Sequence, residues 1–184
     1  MKRASLIPTA EATTGPFFPP RYVDAGANDL TVLGGRKARG EAIEIHGRVT
    51  QEDGTALENL IVEIWQADAG GIFRHPADPR HTEADPDFLG WGRAATDAQG
   101  NYRFRTIRPG APQGRSPHVN FMVMFSGLMR ILKTTMFFEN SSDPVLGAVP
   151  RSRQNLLIST REKAGLYRFD IRLRGDNETP FFDD

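Results

Sequence analysis

Cysteine is missing from all 184 residues, which excludes disulfides, thiolate metal sites and a cysteine nucleophile, and suits a reducing compartment. Long apolar runs are missing too. The first residues, MKRASLIPTAEATTGPFF, have a basic start but only Leu6 and Ile7 before Pro8. That is short of a secretory leader, and no segment approaches membrane-spanning length. A cytoplasmic location is the expectation. Neither sign of charge is in excess, since Lys plus Arg and Asp plus Glu are both 23 and the net charge is zero. No basic stripe with interleaved aromatics offers itself to nucleic acid, and near-zero charge permits association with other chains.

Several catalytic signatures are also missing. There is no GxSxG elbow, P-loop, dinucleotide fingerprint, HExxH or EF-hand loop, so the common hydrolase, nucleotide and zinc-protease chemistries lack their backbone or ligand spacing. Asp85 and Asp87 form a carboxylate pair, but they lie in a loop whose turn-rich composition already accounts for them. Internal repeats, low-complexity segments and helix-period stretches are likewise missing.

What is present is strand patterning. Ile43, Ile45 and Val49 alternate with Glu44, His46, Arg48 and Thr50, and LIVEIWQ at 60–66 is evenly apolar and β-branched, as expected nearer the centre of a sheet. Arg93–Thr96, the turn DAQG and Asn101–Ile107 read as a hairpin with Tyr102, Phe104 and Thr106 on one face. Further strands are expected over 118–125, 131–138, 156–160 and 167–173, with a short helix possible around 150–154. Short strands with turn chemistry between them point to an all-β, antiparallel β-sandwich over residues 41–184. Residues 1–40, rich in Pro, Gly, Ala and Thr around TTGPFFPPRY, read as a long ordered N-terminal arm. Pro16, Pro19 and Pro20 forbid a helix interior, and Phe17, Phe18 and Tyr22 suit packing rather than solvent.

The remaining chemistry is histidine and oxygen ligation. In the stretch PHVNFMVMF, His118 stands two residues before Asn120, so both face one side of a strand. Two readings stay open on the residues alone: a core strand with two satisfied polar groups, or a metal site with one ligand replaced. His46 falls on a wet strand face, and His75 and His81 fall in the long loop 67–90. Of the three tyrosines, Tyr102 and Tyr167 lie on apolar strand faces, so a phenolate ligand is poorly supplied.

Five phrases together resemble the intradiol ring-cleaving dioxygenases, and among them the two-subunit protocatechuate enzymes: TTGPFF, VEIWQADAGGIF, DPDFLGWGRAATDAQGNYRFRTIRPG, PHVNF and YRFDIRLRGDNETPFFDD. The resemblance runs from Thr13 to the C-terminus and independently implies a β-sandwich. Enzymes of this family hold ferric iron through two tyrosines and two histidines. In this sequence the first tyrosine position is Phe73, the second has no counterpart near Ala111, the first histidine is His118 and the second is Asn120. Phenylalanine offers no ligand atom, and a carboxamide oxygen is a poor donor to ferric iron. The departure resembles the family's α-type chains, which share the fold without the iron, as does the ending GDNETPFFDD.

The resemblance therefore implies a chain with no metal and no catalytic residue of its own. Its partner would be a homologous β-type chain carrying ferric iron in a higher (αβ)n assembly, acting on a small catechol with O2. The arm would pack on that partner and bring Thr13, Gly15, Pro16 and Phe17 to its pocket. Ser126 stands where the family has an arginine near the substrate carboxylate, with Arg130 close by. Protocatechuate opened to 3-carboxy-cis,cis-muconate is the expected reaction, and a related anion such as 4-sulfocatechol stays open. The competing expectations are a stand-alone metal-free binding module, and an enzyme using His75, His81 and His118 as ligands.

Overall fold

The computed structural model describes residues 22–23, 26–128 and 130–183. In chain order the strands are β1 (Val32–Leu33), β2 (Arg36–Lys37), β3 (Ala42–Thr50), β4 (Ile61–Gln66), β5 (Trp91–Ala95), β6 (Asn101–Ile107), β7 (His118–Met124), β8 (Leu132–Phe137), β9 (Thr160–Lys163), β10 (Leu166–Arg168) and β11 (Ile171–Arg172). Among the described residues there are also a four-residue helix, α1 (Pro144–Gly147), and 3-10 turns at His81–Glu83 and Arg151–Leu157. Residues 26–40 pack on the chain's own sandwich, with Leu30 buried in its core and its amide bonded to the Arg105 carbonyl.

Two sheets form the sandwich. The first, ordered β5-β4-β7-β8, is antiparallel throughout. In the second, β3 is flanked by β6 on one edge and by β10 and β11 on the other, with β9 outside β10. Alternation decides what is buried: β3 and β6 send Ile43, Ile45, Val49, Tyr102 and Phe104 inward, against Val62, Ile64, Val119, Phe121 and Val123 of the first sheet. The rings of Tyr102 and Phe121 meet at 6.0 Å, and those of Phe121 and Phe169 at 5.1 Å. Buried Gln66 ties the layers with hydrogen bonds: it accepts from Thr106 Oγ1 at 2.9 Å and donates to the Ile107 carbonyl at 2.9 Å.

Three details differ from the strand reading. The residues around DAQG are no hairpin, because β5 pairs with β4 while β6 pairs with β3 over seven positions, and the turn carries the chain from one sheet to the other. Asp97 holds that turn by accepting the amides of Gln99 at 2.9 Å and Asn101 at 2.8 Å; turn chemistry does not distinguish a hairpin from a crossing. The short helix expected around 150–154 is present as a 3-10 helix that runs on through 151–157, so the strand expected from 156 begins only at Thr160, and Leu157 joins Phe137, Leu146 and Val149 in a second small core. Lastly, β10 and β11 run parallel to β3, so the otherwise antiparallel sandwich holds one parallel seam.

That seam breaks at Phe169 and Asp170, where backbone and side chains replace the ladder. The Phe169 amide donates to the His46 carbonyl at 2.8 Å, the buried Tyr102 hydroxyl donates to the Phe169 carbonyl, and the Arg48 amide donates to Asp170 Oδ1 at 3.0 Å. Only glycine fits beside this crossing, since a Cβ on Gly47 would lie 1.8 Å from the Phe169 oxygen. Gly47→Ala is therefore expected to destabilise the fold by at least about 2–3 kcal/mol, the upper part of the overpacking range. Urea denaturation checks this, and an unchanged midpoint would contradict the close approach.

Candidate functional site

Two loops and the start of β7 meet at one end of the first sheet. The loop after β4 turns on Asp68, a buried residue whose Oδ1 accepts the amides of Gly70 at 2.8 Å and Ile72 at 3.0 Å, and whose Oδ2 accepts the amide of Asp85 at 2.8 Å. The Asp68 carbonyl accepts the Gly110 amide at 2.9 Å. The loops at 67–73 and 108–113 thus lie backbone on backbone. A Cβ on Gly110 would fall 2.4 Å from the Ala69 oxygen, and one on Gly71 2.2 Å from the Ala111 oxygen, so both phrases, DAGG and RPG, need their glycines.

This packing aims Phe73 across the sheet. Its ring lies 5.1 Å from Trp65 and 6.2 Å from His118, and the His75 ring meets Trp65 edge-on at 5.6 Å. Trp65, Phe73 and His75, together with Pro79, Pro112, Arg80 and Arg115, wall a cavity of about 370 Å³, and His118 lies behind Phe73, outside its lining. Arg80 is engaged, donating to the Gly71 carbonyl at 2.9 Å. Arg115 is engaged as well: its Nε donates to Asp143 Oδ2 at 2.8 Å, and the fully buried Asp143 also accepts the amides of Ser116 and Val145, each at 2.8 Å. Burial alone would raise the Asp143 pKa. The hydrogen bonds from Arg115, Ser116 and Val145 override it and hold the carboxyl below its ordinary value.

His118 is 2% exposed. Its Nδ1 donates to the Ser116 carbonyl at 2.7 Å, which leaves Nε2 as the acceptor of a neutral ring. Burial depresses its pKa below 6.5, the Ser116 bond opposing and the nearby Arg115 charge adding to the shift. Two residues on, Asn120 Oδ1 accepts from Thr135 Oγ1 of β8 at 3.0 Å, and its neighbour on β4 is Trp65.

A family model described as Dioxygenase matches residues 13–175. The chain belongs to the intradiol dioxygenase family. It is 32% identical to the protocatechuate 3,4-dioxygenase alpha chain of Burkholderia cepacia, across 97% of this chain and 98% of that one. To the beta chain of the same organism it is 40% identical, across 77% of this chain and 68% of that one. Among solved structures, the dioxygenase domain of a dioxygenase carbohydrate-binding protein fusion from Streptomyces sp. SirexAA-E superposes with a TM-score of 0.60 at 24% identity, covering 91% of this chain and 98% of that one. That likeness supports the shared sandwich.

Whether this site could hold the family's ferric iron depends on the donor atoms present. Phe73 and His118 lie ring against ring, but the ring of Phe73 has no donor atom, and the Asn120 oxygen already accepts from Thr135. Among the described residues no three His, Cys, Asp or Glu side chains are grouped as metal ligands. His75 accepts the Ala77 amide through Nδ1 at 3.1 Å, and the His81 ring bonds the Asp78 carbonyl at 2.9 Å. The three-histidine alternative is thus not assembled, and the donor set does not fit iron. Asp85 accepts the amides of Arg39 and Asp87, so that pair organises a loop.

Ser126 and Arg130 follow the far end of β7, roughly 25 Å along the strand from His118 at about 3.4 Å per residue, and line no part of this cavity. Arg130 pairs with Asp183, both exposed. Thr13, Gly15, Pro16 and Phe17 lie outside the described residues. Asp68, Trp65, Arg115 and Asp143 were not singled out from sequence. Asp before GG and Asp before Pro144 at a helix start are both readable capping signals.

The depressed His118 pKa fixes a pH dependence. The unfolded chain takes up a proton below 6.5 that the folded imidazole refuses until lower pH, so stability falls on acidification through that window. His118→Gln is expected to flatten the decline, by at most about 1.4 kcal/mol per pH unit for one proton. Thermal midpoints of both proteins between pH 7 and 5 check this, and parallel curves would contradict it.

Proposed function

We propose that this chain is the iron-free α-type subunit of a two-chain protocatechuate 3,4-dioxygenase, the ferric site being on a homologous β-type partner in a higher (αβ)n assembly. The observation that carries the reading is the donor set: an aromatic ring without a hydroxyl at Phe73, a carboxamide engaged by Thr135 at Asn120 and a single imidazole at His118. Overall identity does not choose between the chain types, because it is higher to the beta chain while coverage is greater to the alpha chain. The residues at Phe73, His118 and Asn120 support the α-type reading.

In this reading the complex adds O2 to protocatechuate and opens the ring between its two hydroxyl-bearing carbons, giving 3-carboxy-cis,cis-muconate, and the iron of the partner supplies the electronic chemistry. This chain contributes shape and polar contacts to the partner's pocket. Gly15 permits close approach, Pro16 fixes the turn, Thr13 offers a hydroxyl and Phe17 a ring face. Ser126 replaces a guanidinium, and the Arg130–Asp183 pair is 58% and 78% exposed. Such a pair has little net strength, so Arg130 is free to exchange Asp183 for a substrate carboxylate. With that contact unbuilt, a related anionic catechol such as 4-sulfocatechol is the alternative substrate.

The cavity of about 370 Å³ between Trp65, Phe73 and His75 favours a second reading, a metal-free module that binds a small aromatic by itself. Co-expression with a β-type chain bearing PHxHF and both tyrosines separates the two. The first reading predicts a stable complex that cleaves protocatechuate. Deleting residues 1–17 should then raise KM on the order of tenfold, as for the loss of one or two polar contacts, at unchanged iron content. A monomer that ignores the partner and binds catechol alone would replace the first reading with the second.

A further inference from the structure

The outer face of the second sheet carries a cleft that shares no lining residue with the aromatic cavity. Across the break in the parallel seam the register is continuous: Arg168 lies beside His46, Ile171 beside Val49 and Arg172 beside Thr50. Alternate residues share a face, so Arg48 and Thr50 stand outward together with Arg168, Asp170 and Arg172. Neighbouring strands are about 4.8 Å apart and alternate residues about 6.6 Å. Three guanidiniums therefore gather round one carboxylate.

The groups in this cluster are unequally engaged. Asp170 accepts from Arg168 Nε at 3.1 Å, pairs with its Nη2 at 2.8 Å, and accepts the Arg48 amide at 3.0 Å. Glu162, on the cleft wall, pairs with His46 at 2.9 Å. Arg48 is steadied by its Nε, which donates to the Gln99 carbonyl at 2.6 Å, and its terminal nitrogens stay available. Arg172 is half-buried and is tied by its backbone amide to Thr179 Oγ1 at 3.0 Å; its guanidinium has no carboxylate partner among the described residues. Over this cluster opens a space of about 560 Å³, walled by Asn155 at the end of the 3-10 helix and Asn177 of the C-terminal turn.

We propose that this cleft binds a small oxyanion, a carboxylate or a phosphate, through the Arg172 and Arg48 guanidiniums, with Asn155 and Asn177 as neutral donors. A guanidinium fork matches either oxyanion in two hydrogen bonds. Held on sheet backbone and partly buried, Arg172 loses little conformational freedom on pairing. The ligand supplies the oxyanion partner that Arg172 lacks among the described residues.

The test is calorimetric titration of the purified protein, in whatever assembly it forms, with inorganic phosphate and separately with succinate at constant ionic strength. Saturable binding of at least one ion is expected, weakened about tenfold by Arg172→Gln, the scale of one lost charge-assisted contact, and partly restored by Arg172→Lys. Arg103→Gln, which removes an exposed arginine paired with Glu44 on the same sheet face, should bind as wild type. Binding of phosphate alone supports a phosphate ligand, and binding of succinate alone a carboxylate. No saturable binding of either ion, or wild-type affinity in Arg172→Gln, overturns the proposal. Should Arg172→Gln fail to fold, Asn177→Ala on the exposed turn serves instead, and wild-type affinity there overturns it equally.

Discussion

The Asp68 carboxylate is the acceptor on which the loop end of the sandwich depends. One buried side chain holds the amides of Gly70, Ile72 and Asp85, and its own carbonyl holds Gly110. Two neighbouring loop positions, Gly70 and Ile72, and two distant ones, Asp85 and Gly110, are thereby fixed to the end of β4. Buried amides without acceptors each cost about 1–3 kcal/mol, so the loops converge only because this group is there. Phe73 owes its place against Trp65 and His118 to that convergence.

A scaffold built to present groups at a point is kept here with the groups exchanged. The ring at Phe73 packs on Trp65 and faces His118, and Asn120 bridges to Thr135. Asp143 locks the entry to β7 by holding Arg115 and Ser116. Asp143, the Asn120 oxygen and His118 Nδ1 are engaged within the chain, Arg115 Nη2 is buried without a hydrogen-bond partner among the described residues, and the imidazole is held neutral by burial. In the proposed reading this site serves as structure, and the chain's contribution to chemistry lies on surfaces it would share with a partner.

Much of this was legible in the sequence because it rests on period and local chemistry. Alternation in Ala42–Thr50 and Asn101–Ile107 gave the inner face residue by residue, and the spacing of His118 and Asn120 placed both on the outer side of one strand. Pairing partners were not legible: DAQG reads as a hairpin turn, yet its strands join different sheets. Of the apolar run Leu156–Ile158, Leu156 and Leu157 close the 3-10 helix, Leu157 in the small core around Phe137, and only Ile158 is extended, bridging Phe137. The parallel seam depends on Gly47 and Tyr102 meeting Phe169, contacts between residues far apart in the chain that no local pattern encodes. The setting of Arg172 has the same origin, since a guanidinium without a carboxylate partner among the described residues is visible only once β11 lies beside β3.

The central claim is that the fold is retained while the ferric donor set is not. Iron analysis of the chain expressed without any partner, alongside its visible absorption spectrum, tests it most directly. The account predicts substoichiometric iron and no charge-transfer band, even after incubation with ferric or ferrous salts. One iron per chain with a visible tyrosinate or imidazole charge-transfer band would contradict it.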